Sequence, residues 1–296
     1  MESGTANLLH MLEKRVRSLC EEGKFPEARQ TAEAAVEKAR ASLNDNPQSV
    51  SELALSLEVK GDLMRQTGEV EAARLSYLEA LELLDGQNDF TEQLGRISAS
   101  TAVLYDQGGM SEEAKKFYER AVELFERLDP PALLDIADLK NNLAFMYEES
   151  GDDKTAESLF LDALKISHDE LGEDDPETAA ICNNLGALYQ KTGHFAQARE
   201  MHSMALENRI RKLGERHPDT AQSHGNLAVT LAEADQSGDA RRHFEDAIAI
   251  YEKHLDEHSD DFVTVAENFL QFLEDVGDTK AAASLEKKFH KLVKAS

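Results

Sequence analysis

Residues 138–163 read DLKNNLAFMYEESGDDKTAESLFLDA. Leu143, Ala144 and Tyr147 stand at i, i+1 and i+4, one face of a first helix, and Ala156, Phe160 and Ala163 stand at i, i+4 and i+7, one face of a second. Gly151 lies between them, where a chain leaving one helix for another needs a residue tolerant of positive φ. Asp152 and Asp153 then supply an N-cap and a first-turn acid. The stretch is an antiparallel helical hairpin, small residues at the close contacts and an aromatic filling the gap.

The same hairpin recurs along the chain. A turn residue followed five positions later by alanine occurs at Gly23/Ala28, Gly68/Ala73, Gly109/Ala114, Gly151/Ala156, Gly193/Ala198, Asp235/Ala240 and Gly277/Ala282. After a first interval of 45, the turns are 41 or 42 residues apart. A fixed period of this size marks a solenoid, in which each unit buries its apolar face only by stacking on its neighbours. The aromatic slot holds Tyr118 in the third unit, Phe244 in the sixth and, unusually, His202 in the fifth. Val16 and Leu270 replace the small residue in the first and last units, as degenerate capping repeats would. The expectation is all-α: a right-handed superhelical solenoid of about seven hairpins forming one array over 1–296. Within it, 1–50 is a degenerate N-terminal hairpin, 51–257 the core repeats and 258–296 a C-terminal cap.

Composition narrows the function. The 296 residues carry 58 acidic and 32 basic side chains, a net charge of −26, and residues 51–200 alone hold 32 acids against 13 bases. Phosphate contacts need basic patches, so nucleic acid is not an expected partner, nor is an anionic membrane surface. Apolar stretches are broken by charges every few residues, so no span of a bilayer is expected. Met1 to Leu12 lack the pattern of a secretory leader, and the expected location is cytoplasmic. The two cysteines, Cys20 and Cys182, lie in different repeats and read as buried free thiols.

The order small residue, Tyr, Gly, Ala, aromatic, Ala resembles the tetratricopeptide repeat. The starts Asn141-Asn142-Leu143-Ala144 and Asn183-Asn184-Leu185-Gly186 resemble the kinesin-light-chain type, whose unit is 42 residues long. So do the junctions LGEDDPETA over 171–179 and LGERHPDTA over 213–221. The resemblance is specific over 131–257 and looser over 51–130. It implies a non-catalytic scaffold or adaptor that binds a protein segment in a concave groove lined by first helices. It also implies that ligand-contacting positions lie 13, 10, 6, 3 and 2 residues before each turn. Carried onto this chain, these include Arg96, Val103, Asn141, Phe145, Glu148, Asn183, Ala187, Gln190, Lys191 and Val229 as peptide-binding candidates. Val103, Phe145, Ala187 and Val229 would give the groove an apolar floor, with Phe145 as anchor; packing between repeats accounts equally for Val103, Ala187 and Val229. Asn141 and Asn183 have amides that both donate to and accept from an extended backbone. Asn142, Asn184, Asn226 and Asn268, one position later, are expected to bond within the stack.

Of the 25 carried-over positions, seven are acidic (Glu58, Asp62, Asp106, Asp138, Glu148, Glu149, Glu233) and three basic (Arg65, Arg96, Lys191). A basic or mixed partner segment therefore fits the groove better than an acidic one. No phosphate-cradling loop, nucleophile elbow or clustered metal motif is evident, so no catalytic residue, cofactor or metal ligand is expected. His254 and His258 are four apart without a third ligand in view, and His217-Pro218 reads as turn chemistry. His202 reads as a neutral packed histidine, with a partly buried, pH-sensitive core residue as the alternative. Lys287, Lys288, Lys291 and Lys294 would form a polar outer cap. Two other functions compete: a ligand-sensing regulator that changes superhelix shape, and an architectural assembly subunit. The sequence leaves the oligomeric state open.

Overall fold

The computed structural model describes residues 2–86 and 88–293. These form fourteen α-helices and one short 3-10 turn, with no strand among the described residues. The protein is an all-α helical-repeat solenoid whose chain divides into two compact units, residues 1–146 and 147–296.

In the first unit, α1 (Glu2–Glu21) pairs with α2 (Phe25–Ser42), α3 (Pro47–Gln66) with α4 (Val70–Leu84) and α5 (Thr91–Gln107) with α6 (Ser111–Glu126). Helix α7 (Leu133–Glu149) begins in this unit, and its last turn opens the second. The second unit continues with α8 (Asp153–Leu171), α9 (Pro176–Lys191) and α10 (Phe195–Leu213), then α11 (Pro218–Glu233) and α12 (Ser237–Tyr251). It ends with α13 (Leu255–Asp275) and α14 (Thr279–Val293). Here α9 pairs with α10, α11 with α12 and α13 with α14.

One backbone motif closes all seven first helices. The residue after each turn position donates its N–H five residues back: Lys24 to Leu19, Glu69 to Met64, Met110 to Tyr105, Asp152 to Tyr147, His194 to Tyr189, Gln236 to Leu231 and Asp278 to Leu273, at 2.7–2.9 Å. This closure needs a left-handed residue at the turn, supplied six times by glycine and once by Asp235 at φ 58°. The alanine five residues on then sits in the first turn of the next helix, turned into the core. Six of the seven are fully buried and Ala282 is 8% exposed.

Between repeats the junctions cap themselves. Asp175 accepts from the Glu177 N–H ahead of Pro176, and His217 Nδ1 accepts from the Asp219 N–H ahead of Pro218. Thr178 and Thr220 donate to the carbonyls of Gly172 and Gly214. His217 is thus a helix cap. His254 precedes α13, and His258 breaks that helix at φ −128°, so the two do not share a continuous helix face.

The first unit's core runs from Leu9 to Leu124 around Tyr77, and the second unit's from Leu206 to Leu285 around Phe244 and Tyr251. Both cysteines are free, but only Cys182 is buried as expected; Cys20 is half-buried at the edge of the first unit's core, and burial of Cys182 pushes its thiol up to about 11. Among the described residues, no helix is long and apolar enough to cross a membrane. Lys288 of the expected basic cap pairs with Glu252; Lys294 and the side chain of Lys291 lie outside the described residues.

Candidate interaction surface

Within each unit, consecutive first helices touch: α1 with α3 and α3 with α5, then α9 with α11 and α11 with α13. Among the described residues, successive second helices make no comparable contact. The side on which repeats approach more closely is the inner side of a stack, so in each unit the first helices form its inner face. Seven of the ten candidate residues lie on α5, α9 and α11, and Asn141, Phe145 and Glu148 lie on α7, the first helix of the fourth repeat.

In the first unit the inner face is polar and partly buried. Arg96 on α5 sets its guanidinium against Glu58 on α3 in a two-pronged pair, at 3.2 and 3.3 Å, and also reaches Glu92 at 3.1 Å. The Glu58 side chain is only 8% exposed, and burial raises its pKa against the opposing pull of Arg96. One turn along, Asp62 accepts from the Tyr77 hydroxyl at 2.6 Å. Glu13 accepts from Ser56 and is pushed up to about 7, chiefly by burial. Val103 is half-buried. On α7, Asn141 is half-buried and Phe145, one turn later on the same face, leaves 37% of its surface exposed.

In the second unit the inner face is laced by bonds between repeats. Asn226 on α11 donates to the Asn183 side-chain oxygen on α9 at 2.7 Å, and Thr230 donates to Gln190 at 3.0 Å. Lys191 donates to the Glu148 carbonyl at 3.1 Å and to Asp153 at 2.9 Å, and lies 3.5 Å from the Glu148 carboxylate. Val229 is half-buried against the core, whereas Ala187 is exposed. Asn183, Ala187 and Lys191 are spaced by four and Gln190 follows Ala187 by three, so they share one face of α9.

Thus Arg96, Asn183, Gln190, Lys191 and Glu148 each join one repeat to the next. These bonds restrain the side chains within the protein itself. Asn183 keeps its amide N–H groups and a second lone pair beyond the bond from Asn226.

The fold also juxtaposes residues that the sequence reading did not connect. His224 on α11 and His243 on α12 place their Nδ1 atoms 2.8 Å apart, beside Asp246. Burial depresses both imidazoles, His224 to about 4, so they are neutral at neutral pH. A signal for this pair did exist. The two lie 11 residues before and eight after the turn at Asp235, positions holding Leu57 and Ser76, Ser98 and Phe117, Lys140 and Leu159, or Cys182 and Met201 in other repeats. In the aromatic slot of α10, His202 is 1% exposed with neither ring nitrogen hydrogen-bonded. Burial lowers its pKa to about 4.

Comparison with known proteins places these hairpins in a family. A tetratricopeptide repeat model matches residues 135–211 and 183–253, and a second model of the same repeat matches 101–127. No curated protein matches the chain. Among solved structures, BtubC (BKLC) from P. vanneervenii is 28% identical, with a TM-score of 0.66 over 77% of this chain and 91% of that one. A putative kinesin light chain from Podosopora anserina with nearly identical TPR-like repeats is 20% identical, with a TM-score of 0.59 over 69% of this chain and 97% of that one. The apo form of RapI is 16% identical, with a TM-score of 0.63 over 82% and 99%. The last two share the fold alone. The matched repeats and the recurring hairpin closure agree: the chain is a tetratricopeptide repeat protein, built on a scaffold that is generally non-catalytic and generally serves protein–protein interaction.

Proposed function

We propose that this protein is a non-catalytic scaffold whose inner first-helix face binds an extended segment of a partner protein. The observation that carries the reading is the face of α9. Exposed Ala187 lies there between Asn183 and Lys191, with both of those side chains and Gln190 held by neighbouring repeats. A small exposed residue framed by fixed polar groups leaves room for a backbone and hydrogen-bonding groups to meet it, at little further entropic cost. Val229 and Glu148 belong to the same unit's inner face. In the first unit, Phe145 is the apolar anchor candidate, with Asn141 one turn before it and Val103 and Arg96 on α5.

The charge preference follows from what the cations already do. Arg96 is engaged by Glu58 and Glu92, and Lys191 by Glu148 and Asp153. An acidic ligand would have to break these pairs, whereas a basic or mixed segment with an apolar residue would not. Micromolar affinity, about −8 kcal/mol, suits a flexible segment that orders on docking.

A peptide-display selection on the full chain tests this. Selected peptides should be enriched in basic and apolar residues and bind the wild type with micromolar Kd. Ala187→Arg, a substitution at an exposed helical position, should weaken them at least about tenfold with the circular dichroism spectrum unchanged. Peptides that bind this variant and Phe145→Ala as tightly as the wild type would remove both inner faces from consideration.

A further inference from the structure

We propose that His224, His243 and Asp246 form a binding site for a divalent transition-metal cation of the zinc class, on the α11–α12 hairpin and independent of the groove. Two imidazole nitrogens and one carboxylate are a ligand set that such ions favour. The two Nδ1 atoms approach to 2.8 Å, and all three ligand atoms lie within 4.8 Å of one another. Metal–nitrogen bonds of about 2.0–2.1 Å would place nitrogens 2.8 Å apart at an angle near a right angle, and a modest opening of the pair gives the tetrahedral angle. His243 and Asp246 are three apart on α12 and therefore project from the same side of that helix. Asp246 is exposed, so its carboxylate can close on the ion without moving backbone.

The surroundings admit an ion. His224 and Asp246 open onto a surface pocket shared with Glu215, Arg216, Ile250 and Lys253, which leaves remaining coordination positions facing solvent. Arg242, the cation adjoining His243, is paired with Asp239 at 2.9 Å. Arg216 and Lys253 oppose a cation, and Glu215 favours one. The rival account is a simple bond between two neutral imidazoles, one Nδ1 donating and the other accepting. That account leaves the third ligand on the same helix side as a coincidence, and it predicts no metal uptake.

The experiment is calorimetric titration of zinc chloride into the metal-stripped full chain at neutral pH, with magnesium chloride as control. The expected result is one zinc ion per chain, no magnesium, and affinity reduced at least about tenfold by His243→Ala and by Asp246→Asn. His254→Ala, a histidine outside the cluster, should leave the affinity unchanged. Cobalt(II) in place of zinc should give a visible absorption band that both ligand variants lose. His224 is nearly buried, and a substitution there risks the fold, so the test rests on His243 and Asp246, checked by circular dichroism. Absence of saturable uptake up to about 100 µM zinc would overturn the proposal. So would uptake that survives His243→Ala and Asp246→Asn, because the ion would then sit elsewhere.

Discussion

His202→Phe should stabilise the protein, and stabilise it more in acid. In the wild type, the imidazole is 1% exposed and seated on Gly186, where a Cβ would lie only 2.7 Å from the ring. Neither nitrogen finds a partner. A buried polar group without a hydrogen bond costs about 1–3 kcal/mol, and phenylalanine carries none. A six-membered ring fits this arrangement: Tyr77 sits in the same way on Gly61, and Phe244 fills the slot in the sixth repeat.

The pH dependence follows from the depressed pKa, about 4 against an ordinary 6.5. Between those values the unfolded chain binds a proton that the folded chain does not. Stability is therefore intact above 6.5 and falls as pH drops toward 4. At about pH 5 the loss is about 2 kcal/mol, and phenylalanine abolishes it. Other histidines contribute equally to both proteins and cancel in the difference. Urea unfolding followed by far-ultraviolet circular dichroism, at about pH 7.5 and about pH 5, measures both parts. The variant should gain about 1–3 kcal/mol at the higher pH and roughly 2 more at the lower. A gain that does not grow on acidification would refute the buried neutral imidazole, and destabilisation at both values would refute the packing argument.

Further perturbations test other parts of the structure. Gly61→Ala should lose about 1–3 kcal/mol despite alanine's better helix propensity, because the new Cβ would lie 2.5 Å from a Tyr77 ring that Asp62 holds in place; thermal unfolding reads it. Asp235→Gly should be neutral or gain up to about 1 kcal/mol, while Asp235→Val should lose about 1–2, since φ 58° disfavours a β-branched side chain; the pair of urea midpoints decides. Arg96→Ala should lose about 1–3 kcal/mol by leaving Glu58 buried without its cation, a figure reduced because the Arg96 side chain is 40% exposed. Adding Glu58→Gln should recover part of that loss in the same denaturation assay.

The hairpin was legible in the sequence because its determinants are local. The turn glycine and the alanine five residues on are parts of one closure spanning a few residues, and the closure recurs at all seven turns. The junction caps at Asp175 and His217 could be read for the same reason, lying beside the prolines that start α9 and α11. The aromatic slot was legible too, down to the neutral packed state of His202, because one residue type in a repeating position defines its own environment. Asn226 illustrates the boundary: its position marked it for bonding within the stack, but not that its partner would be Asn183, a candidate ligand residue.

Sequence alone determined the helical hairpin, its period and the helices that carry the candidate positions, because each repeat contacts only itself and its neighbours. Only the tertiary structure decided which of those side chains are bonded to one another. Glu58 meets Arg96, Gln190 meets Thr230, and Lys191 meets Asp153 across separations of 38 to 40 residues. It likewise brought His224 to His243 and divided the chain into two compact units. Such pairings depend on the side-chain rotamers and inter-helix spacing that packing selects, and a one-dimensional pattern of polar and apolar residues does not encode them.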